Sequence, residues 1–515
     1  MKMVKSLLLG SAAGLVAVAG ANAADLPVKA KAVEYVKVCS AYGAGYYYVP
    51  GTDTCLKIGG YARVDYYYNG VGTFNPAISN VAGGAFSNPG TGSIAYPFQT
   101  DRSSDYRTRV RGTFDFDART ATDYGVLRSY VRGGVEWNSW GASGASATPS
   151  NGGNNLYVER VFIQFAGFTF GYTQSFFDTG IDYMMTTPYA GSNQWNTVVA
   201  YTAQFGNGFS ASLALEDAAN RITGVQGSVS TVLPTTLAGL ASGVASPGLP
   251  LGYVSPGYTN YQAGTQVPDI VANLRVDQAW GSAQLSGALH QVTALTPLNT
   301  GVFPTGVSYL GQSTDDTWGW AIGGSVELKL PVISPGDSLY IQANYADGAL
   351  SYLGLSGTTQ GRATSLGSSG INSFGSFASY DGAFYPLADA VWNGSNLSYD
   401  TESGWALQGQ YRHYWMPNLR SAVYAGYVDI SVPDNTVGAA DVKMWQVGLN
   451  TIWSPVKNLD LGVEVLYSKV EGGNNLLANN TTAYLTPSLA TGVVTSAVGG
   501  STDVWSGGFR AQRNF

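Results

Sequence analysis

Only 11% of this 515-residue chain is charged, the formal net charge is −7, and the chain holds 67 Gly, 34 Tyr and 12 Trp. An acidic chain is a poor match to nucleic acid, so no nucleic-acid partner is expected. Turn formers and amphipathic aromatics at this level, with few Ala/Leu/Glu/Lys stretches, exclude a helical protein and suit a large all-β architecture.

In chain order, the first element is an export signal over residues 1–23. Lys2 and Lys5 precede the apolar run LLLGSAAGLVAVAGA, which ends at Ala21-Asn22-Ala23, a small-residue cleavage site. Removing it takes away two lysines and no acid, leaving a more acidic mature chain. No later segment has 18 consecutive apolar residues, so no transmembrane helix is expected. Barrel strands, of about ten alternating residues, escape such averaging. Residues 24–54 are expected to form a periplasmic N-terminal segment, and 55–515 a barrel. Cys39 and Cys55 are the only cysteines, both in the exported part, and predict a disulfide around CSAYGAGYYYVPGTDTC. Two cysteines and two distant histidines are too few ligands for zinc, and no cofactor is expected.

Period-2 segments then predict strands at 55–68, 106–119, 126–137, 156–165, 168–174, 197–205, 209–216, 269–279, 282–291, 317–330, 338–346, 403–415, 419–429, 442–453, 459–470 and 504–515. Short connections such as Ala166-Gly167, Gly206-Asn207-Gly208 and Pro417-Asn418 alternate with long ones at 69–104, 138–155, 175–196, 217–268, 292–316, 347–402, 430–441 and 471–503. This predicts a transmembrane 16-stranded antiparallel β-barrel with one tight periplasmic rim and one elaborate extracellular rim.

The second strand carries YRTRVRGTFDFDAR, in which Arg107, Arg109, Arg111, Asp115 and Asp117 alternate with Val110, Phe114 and Phe116. An arginine facing lipid at the midplane costs about 2–4 kcal/mol, so the charged parity must face a wet lumen. Arg63, Arg128, Arg132 and Arg160 hold the polar parity of their own strands and extend this basic wall over strands one to four. A second reading pairs these arginines with Asp65, Asp115 and Glu136, so that they serve the wall itself. The third long connection, QSFFDTGIDYMMTTPYAGSNQWN, has Asp178 and Asp182 and no basic residue. Folded inward, its carboxylates would oppose the arginines and set a transverse field at a constriction. Left outside, they would be ordinary solvated acids.

The stretch KVCSAYGAGYYYVPGTDTCLKIGGYARVDYYY (37–68), SFFD (175–178) and the terminal QRNF (512–515) resemble the trimeric porins of alphaproteobacteria, the type-2 porin family. The likeness follows the strands to Phe515 and weakens over 217–268 and 347–402. It implies a homotrimeric 16-stranded outer-membrane barrel with its third loop folded into the pore, placing Asp178 and Asp182 in that loop and Arg107, Arg109 and Arg111 on the lumen face. Phe515 resembles the terminal aromatic of the outer-membrane assembly signal.

The function expected is passive diffusion of small hydrophilic solutes and ions, with outer-membrane lipid and lipopolysaccharide as surroundings and slight cation preference from the acidic loop and mouth. Three alternatives stand beside it. A sugar-selective channel could use Tyr61, Tyr67 and Tyr130, which have lumen parity. A barrel enzyme could use His413 with Ser421, although no GxSxG elbow or phosphate loop occurs and His413 also suits an aromatic girdle. An adhesin-like barrel would bind through its loops.

Overall fold

In a strand, successive side chains point to opposite faces, so segments that alternate charged or amide residues with aromatic or branched ones can divide water from lipid only as β-structure. The computed structural model describes residues 37–68, 106–139, 153–186, 188, 190–230, 257–294, 316–354, 385–393, 398–433, 441–472 and 500–515, with a few short strand segments inside 69–105 and 355–384. The expected signal peptide lies outside the described residues. The chain divides into two units, Met1–Lys57 and Ile58–Phe515.

In the first unit the disulfide joins Cys39 and Cys55, with their Cα atoms 6.0 Å apart. Both cysteines are buried with Tyr46, and Tyr42 and Tyr48 pack against them. Tyr47–Tyr48 pair antiparallel with Cys55 and Leu56. The Cys39 N–H donates to the Tyr46 carbonyl at 2.9 Å.

The second unit is built on one sheet. In chain order its strands are β1 Cys55–Tyr68, β2 Tyr106–Thr122, β3 Gly125–Asn138, β4 Gly153–Phe165, β5 Phe168–Gln174, β6 Trp195–Gly206, β7 Phe209–Glu216, β8 Asp269–Gln278, β9 Gly281–Val292, β10 Thr317–Lys329, β11 Ser338–Asp347, β12 Ser403–Met416, β13 Leu419–Ser431, β14 Val442–Val456, β15 Leu459–Gly472 and β16 Gly500–Asn514. Each pairs with its chain neighbours, and β1 pairs with both β2 and β16, so the sheet closes with no edge. These are the sixteen strands the alternation predicts.

The short rim is built from tight turns. Ala166 (φ 49°) with Gly167 (φ 86°), and Asn207 (φ 48°) with Gly208 (φ 74°), place both central residues in the left-handed region, the type I′ geometry that matches the twist of a hairpin. Gly60 allows β1 to lie close on β2, since a Cβ there would strike the Thr113 carbonyl.

Two long connections build structure of their own. Val225–Ser230 pairs antiparallel with Gly257–Asn260 and parallel with Ala390–Asn393, which in turn pairs with Ser398–Thr401. The connections at 217–268 and 347–402, opaque in sequence, thus share a four-stranded sheet.

Polarity is inverted relative to a soluble domain. Val110, Phe114, Phe116, Leu285, Trp320 and Leu449 are exposed, whereas Gln342, Asn344, Gln408, Gln410, Gln446 and Asn450 are buried. An outward apolar band and an inward carboxamide lining are what a membrane barrel with a polar interior requires.

Candidate permeation pathway

The inward faces of β1–β4 and β16 carry the arginine wall. Arg109 is wholly buried, donating to Asp65 Oδ2 through Nε (3.1 Å) and Nη2 (2.5 Å) and to the Tyr67 hydroxyl at 2.8 Å. Arg510 donates to the other Asp65 oxygen at 2.7 Å. Arg111 donates to Glu136 at 2.8 Å and lies over the Tyr157 ring. Arg119 and Arg128 share Asp117, each at 2.9 Å. Arg63 donates to Gln512 at 2.7 Å and covers Tyr61, and Arg160 lies over Trp195. The side chain of Arg107 falls outside the described residues.

Pairing therefore accounts for much of the wall, as the second sequence reading held, with one change of partner. Asp115 stands opposite Arg132 in register, but Arg132 reaches Glu159 at 3.2 Å. The register shifts on β4 beside Arg132 and Gly133, and this bulge turns Glu159 inward together with Arg160. The eight described arginines of the wall (63, 109, 111, 119, 128, 132, 160, 510) face five acids (65, 115, 117, 136, 159), leaving an excess of three positive charges. Tyr61, Tyr67 and Tyr130 form no aromatic track. Tyr61 and Tyr130 carry guanidinium groups on their rings, and Tyr67 accepts from Arg109.

The connection between β5 and β6 makes its hydrogen bonds to inward side chains of distant strands. The Phe176 N–H donates to Glu216 on β7 at 2.7 Å, and the Phe176 carbonyl accepts from Asn273 on β8 at 2.6 Å. Gln284 on β9 donates to the Phe177 carbonyl at 3.1 Å, and the Thr179 hydroxyl meets that of Tyr340 on β11 at 2.7 Å. Tyr183 donates through its N–H to Gln410 on β12 and through its hydroxyl to Glu327 on β10, each at 2.7 Å. Glu464 on β15 accepts from the N–H groups of Met185 (2.5 Å) and Thr186 (2.7 Å), and Asn450 on β14 donates to the Tyr183 carbonyl at 2.9 Å.

Asp178 and Asp182 have separate settings. Asp178 is buried, accepts from the Gln194 N–H at 2.5 Å and meets Arg221 at 3.4 Å, with both side chains of the pair inaccessible. Arg221 also donates to the Ser192 hydroxyl at 2.7 Å and lies 4.0 Å over the Tyr352 ring. Burial alone would lower the Arg221 pKa, but Asp178 and its neighbours hold it above the ordinary value. Asp182 accepts from the Met184 N–H at 3.0 Å and lines a small cleft with Asn193, Tyr340, Gln408 and Gln410. The expectation that Asp178 opposes the arginine wall is therefore replaced by a pair with Arg221, which sequence reading missed. Arg221 stands just past the 3-10 turn Ala218–Asn220, in a stretch without periodicity.

The two histidines are occupied. His290 is buried, its Nδ1 2.7 Å from Asp269, and His413 Nδ1 is 2.7 Å from Asp337. The Ser421 hydroxyl is engaged by Trp415 Nε1 at 3.1 Å and by Thr451 at 2.8 Å. Phe515 donates its N–H to the Gly60 carbonyl at 3.1 Å, and its ring lies 6.3 Å from that of Phe114.

A closed sheet of sixteen antiparallel strands, apolar outside and lined within by amides and paired arginines, defines a membrane-spanning β-barrel of the channel-forming class. The family model described as "Porin subfamily" matches residues 25–494. The chain belongs to that family and is a multi-pass β-barrel of the bacterial outer membrane. It is 32% identical over 287 residues to Porin Omp2b of Brucella suis biovar 1 (strain 1330), a match covering 54% of this chain and 64% of the relative. Porin Omp2b of Brucella melitensis biotype 1 is 31% identical over the same span. The match thus takes in just under two thirds of the length of these relatives. Among solved structures, the outer membrane channel DcaP of Acinetobacter baumannii shares the fold, with a TM-score of 0.53, 16% identity and coverage of 91% of this chain and 99% of that one.

Proposed function

We propose that the barrel is a passive diffusion channel for small hydrophilic solutes and ions, narrowed by the Ser175–Gln194 segment folded into its lumen. The observation that carries this reading is the set of hydrogen bonds from that segment to inward side chains of β7 through β12, β14 and β15. In a closed ring, a segment tethered to so many strands has to cross the interior. The space left lies between the segment and the arginine wall of β1–β4. Family membership supports assembly as a homotrimer, with lipopolysaccharide and phospholipid around the apolar band.

Ion preference follows local charge within a Debye length of about 8 Å. Neutralising Asp178 with Arg221 removes half of the acidity that a cation preference rests on, and the wall keeps its positive excess. The channel is therefore weakly anion-selective in this proposal, reversing the slight cation preference expected from the acidic loop and mouth. Planar-bilayer recording in a salt gradient tests it. Steps closing in thirds, with a reversal potential of anionic sign, support the proposal; folded protein without conductance, or with cation preference, refutes it.

A further inference from the structure

One level of the inner wall breaks the rule of the amide lining. Ala214, Val271, Ala288, Ala321 and Ala346 are successive register partners from β7 to β11, and Ile430 and Val442 pair near the long-rim ends of β13 and β14. All of them are buried, while the chain neighbours Leu215, Leu289, Trp320 and Tyr345 are exposed on the opposite parity, so the row faces the lumen. Apolar surface is costly to leave bare against a wet lumen, and this level calls for a cover.

The cover is the 3-10 turn Leu350–Leu353, early in the connection 347–402. Leu350, Tyr352 and Leu353 join the row in one cluster and are wholly inaccessible. The turn is fixed to the wall by two bonds of Tyr352, whose hydroxyl donates to Asp269 on β8 at 2.6 Å and whose carbonyl accepts from Asn344 on β11 at 2.8 Å. Gly404 on β12 leaves room for Leu353, because a Cβ there would lie 3.0 Å from the leucine Cδ1.

The same turn meets the Ser175–Gln194 segment. Phe177 sets its ring edge-on to that of Tyr352, with centroids 4.7 Å apart, and the Gly191 N–H donates to the Leu353 carbonyl at 3.0 Å. The Ser351 carbonyl accepts at 3.3 Å from Arg221, the arginine that holds Asp178. Phe177 and Gly191 lie near opposite ends of the segment, so the turn braces both of its legs.

We propose that the Leu350–Leu353 turn is a wedge that sets the aperture of the pore, with Tyr352 as its positioning residue. The inference rests on the reading of Ser175–Gln194 as the constriction. Space filled between that segment and the wall of β8–β12 is space the segment cannot fall back into, and it is held toward the arginine wall. Close-packed interiors transmit such a displacement and do not absorb it.

The test compares full-length wild type with Tyr352→Ala, with Leu353→Ala, and with Tyr352→Phe, which keeps the ring against Phe177 and gives up only the Asp269 bond. One readout is the size cut-off for neutral polyethylene glycols entering the channel, taken from single-channel conductance. The other is hydrogen exchange at the Gly191 amide in detergent. Both alanine variants should admit larger glycols and speed that exchange at least about tenfold, as large-to-small changes in a packed cluster do, and Tyr352→Phe should do neither. Faster exchange with an unmoved cut-off overturns the wedge, because the turn would then brace a core without narrowing the pore. An effect of Tyr352→Phe as large as that of Tyr352→Ala also overturns it, assigning the role to one hydrogen bond. Folded wild type without conductance refutes the channel and the wedge together, whereas a conducting wild type whose cut-off is shared by both alanine variants refutes the wedge alone.

Discussion

Asp178 and Arg221, 43 residues apart, form an ion pair from which water is wholly excluded. Buried pairs of this kind add little net stability when intact, but removing one partner strands the other charge at a cost of about 3–5 kcal/mol. Either Arg221→Met or Asp178→Asn should therefore loosen the Ser175–Gln194 segment, and because the charges they strand are of opposite sign, the first should move ion selectivity toward cations and the second toward anions. Single-channel records check both, with current noise and substates rising in each variant and the reversal potential moving in opposite directions.

Glu464 accepts two adjacent backbone N–H groups at the tip of the same segment. Glu464→Ala leaves Met185 and Thr186 without acceptors, a loss of about 1–3 kcal/mol for each unsatisfied buried donor. The expected result is a larger mean conductance and faster protease cleavage near Met184 in folded barrels.

Within the arginine wall, the unlike environments of the guanidinium groups predict different phenotypes. Arg63 and Arg160 rest on Gln512, Tyr61 and Trp195, so Arg63→Gln and Arg160→Gln remove positive charge and strand no carboxylate. In a wet lumen one charge contributes at most about 1 kcal/mol, so the permeability ratio should move toward cations by up to about fivefold with little change in stability. Arg109→Gln disturbs the Asp65 and Tyr67 bonds and should lower the heat-dissociation temperature as well. Reversal potentials and gel-shift melting distinguish the cases.

Glu402, just before β12, is buried beside Asp389 and Asp441, and its carboxyl is pushed well above the usual range by burial first and by those acids second. A group whose pKa is raised on folding contributes stability below its unfolded value, near 4.3, and loses it as pH rises toward the folded value. The sheet formed by the two longest connections should therefore be better protected from hydrogen exchange at pH 4 than at pH 8. Glu402→Gln should flatten that dependence and raise protection at pH 8.

The barrel was legible because membrane strands obey one short-range rule. Every second residue is apolar, and the turns between carry Gly, Asn or Pro. The arginine wall was legible for the same reason, since Arg109, Arg111 and Asp117 break that rule in a fixed parity. What the sequence hid depends on contacts between distant segments. Arg221 sits in a stretch with no period, so nothing local links it to Asp178. The bulge that turns Glu159 inward is a register event between strands, invisible along one of them. Glu464 looks like one polar residue among many until the N–H groups of Met185 and Thr186, 279 and 278 positions away, are seen to donate to it.

The seam between β1 and β16 joins residues almost a whole chain apart: Arg63 bonds Gln512 across 449 positions and Arg510 bonds Asp65 across 445. Until that seam forms, the sheet has two bare edges, each able to template pairing with another chain. Translation from the first residue leaves the last strand to arrive when all the others are already made, and Phe515 donates its N–H back to Gly60 only then. The ring is thus a clasp whose catch is synthesised last, and shortening the chain by one strand would leave fifteen strands with nowhere to end.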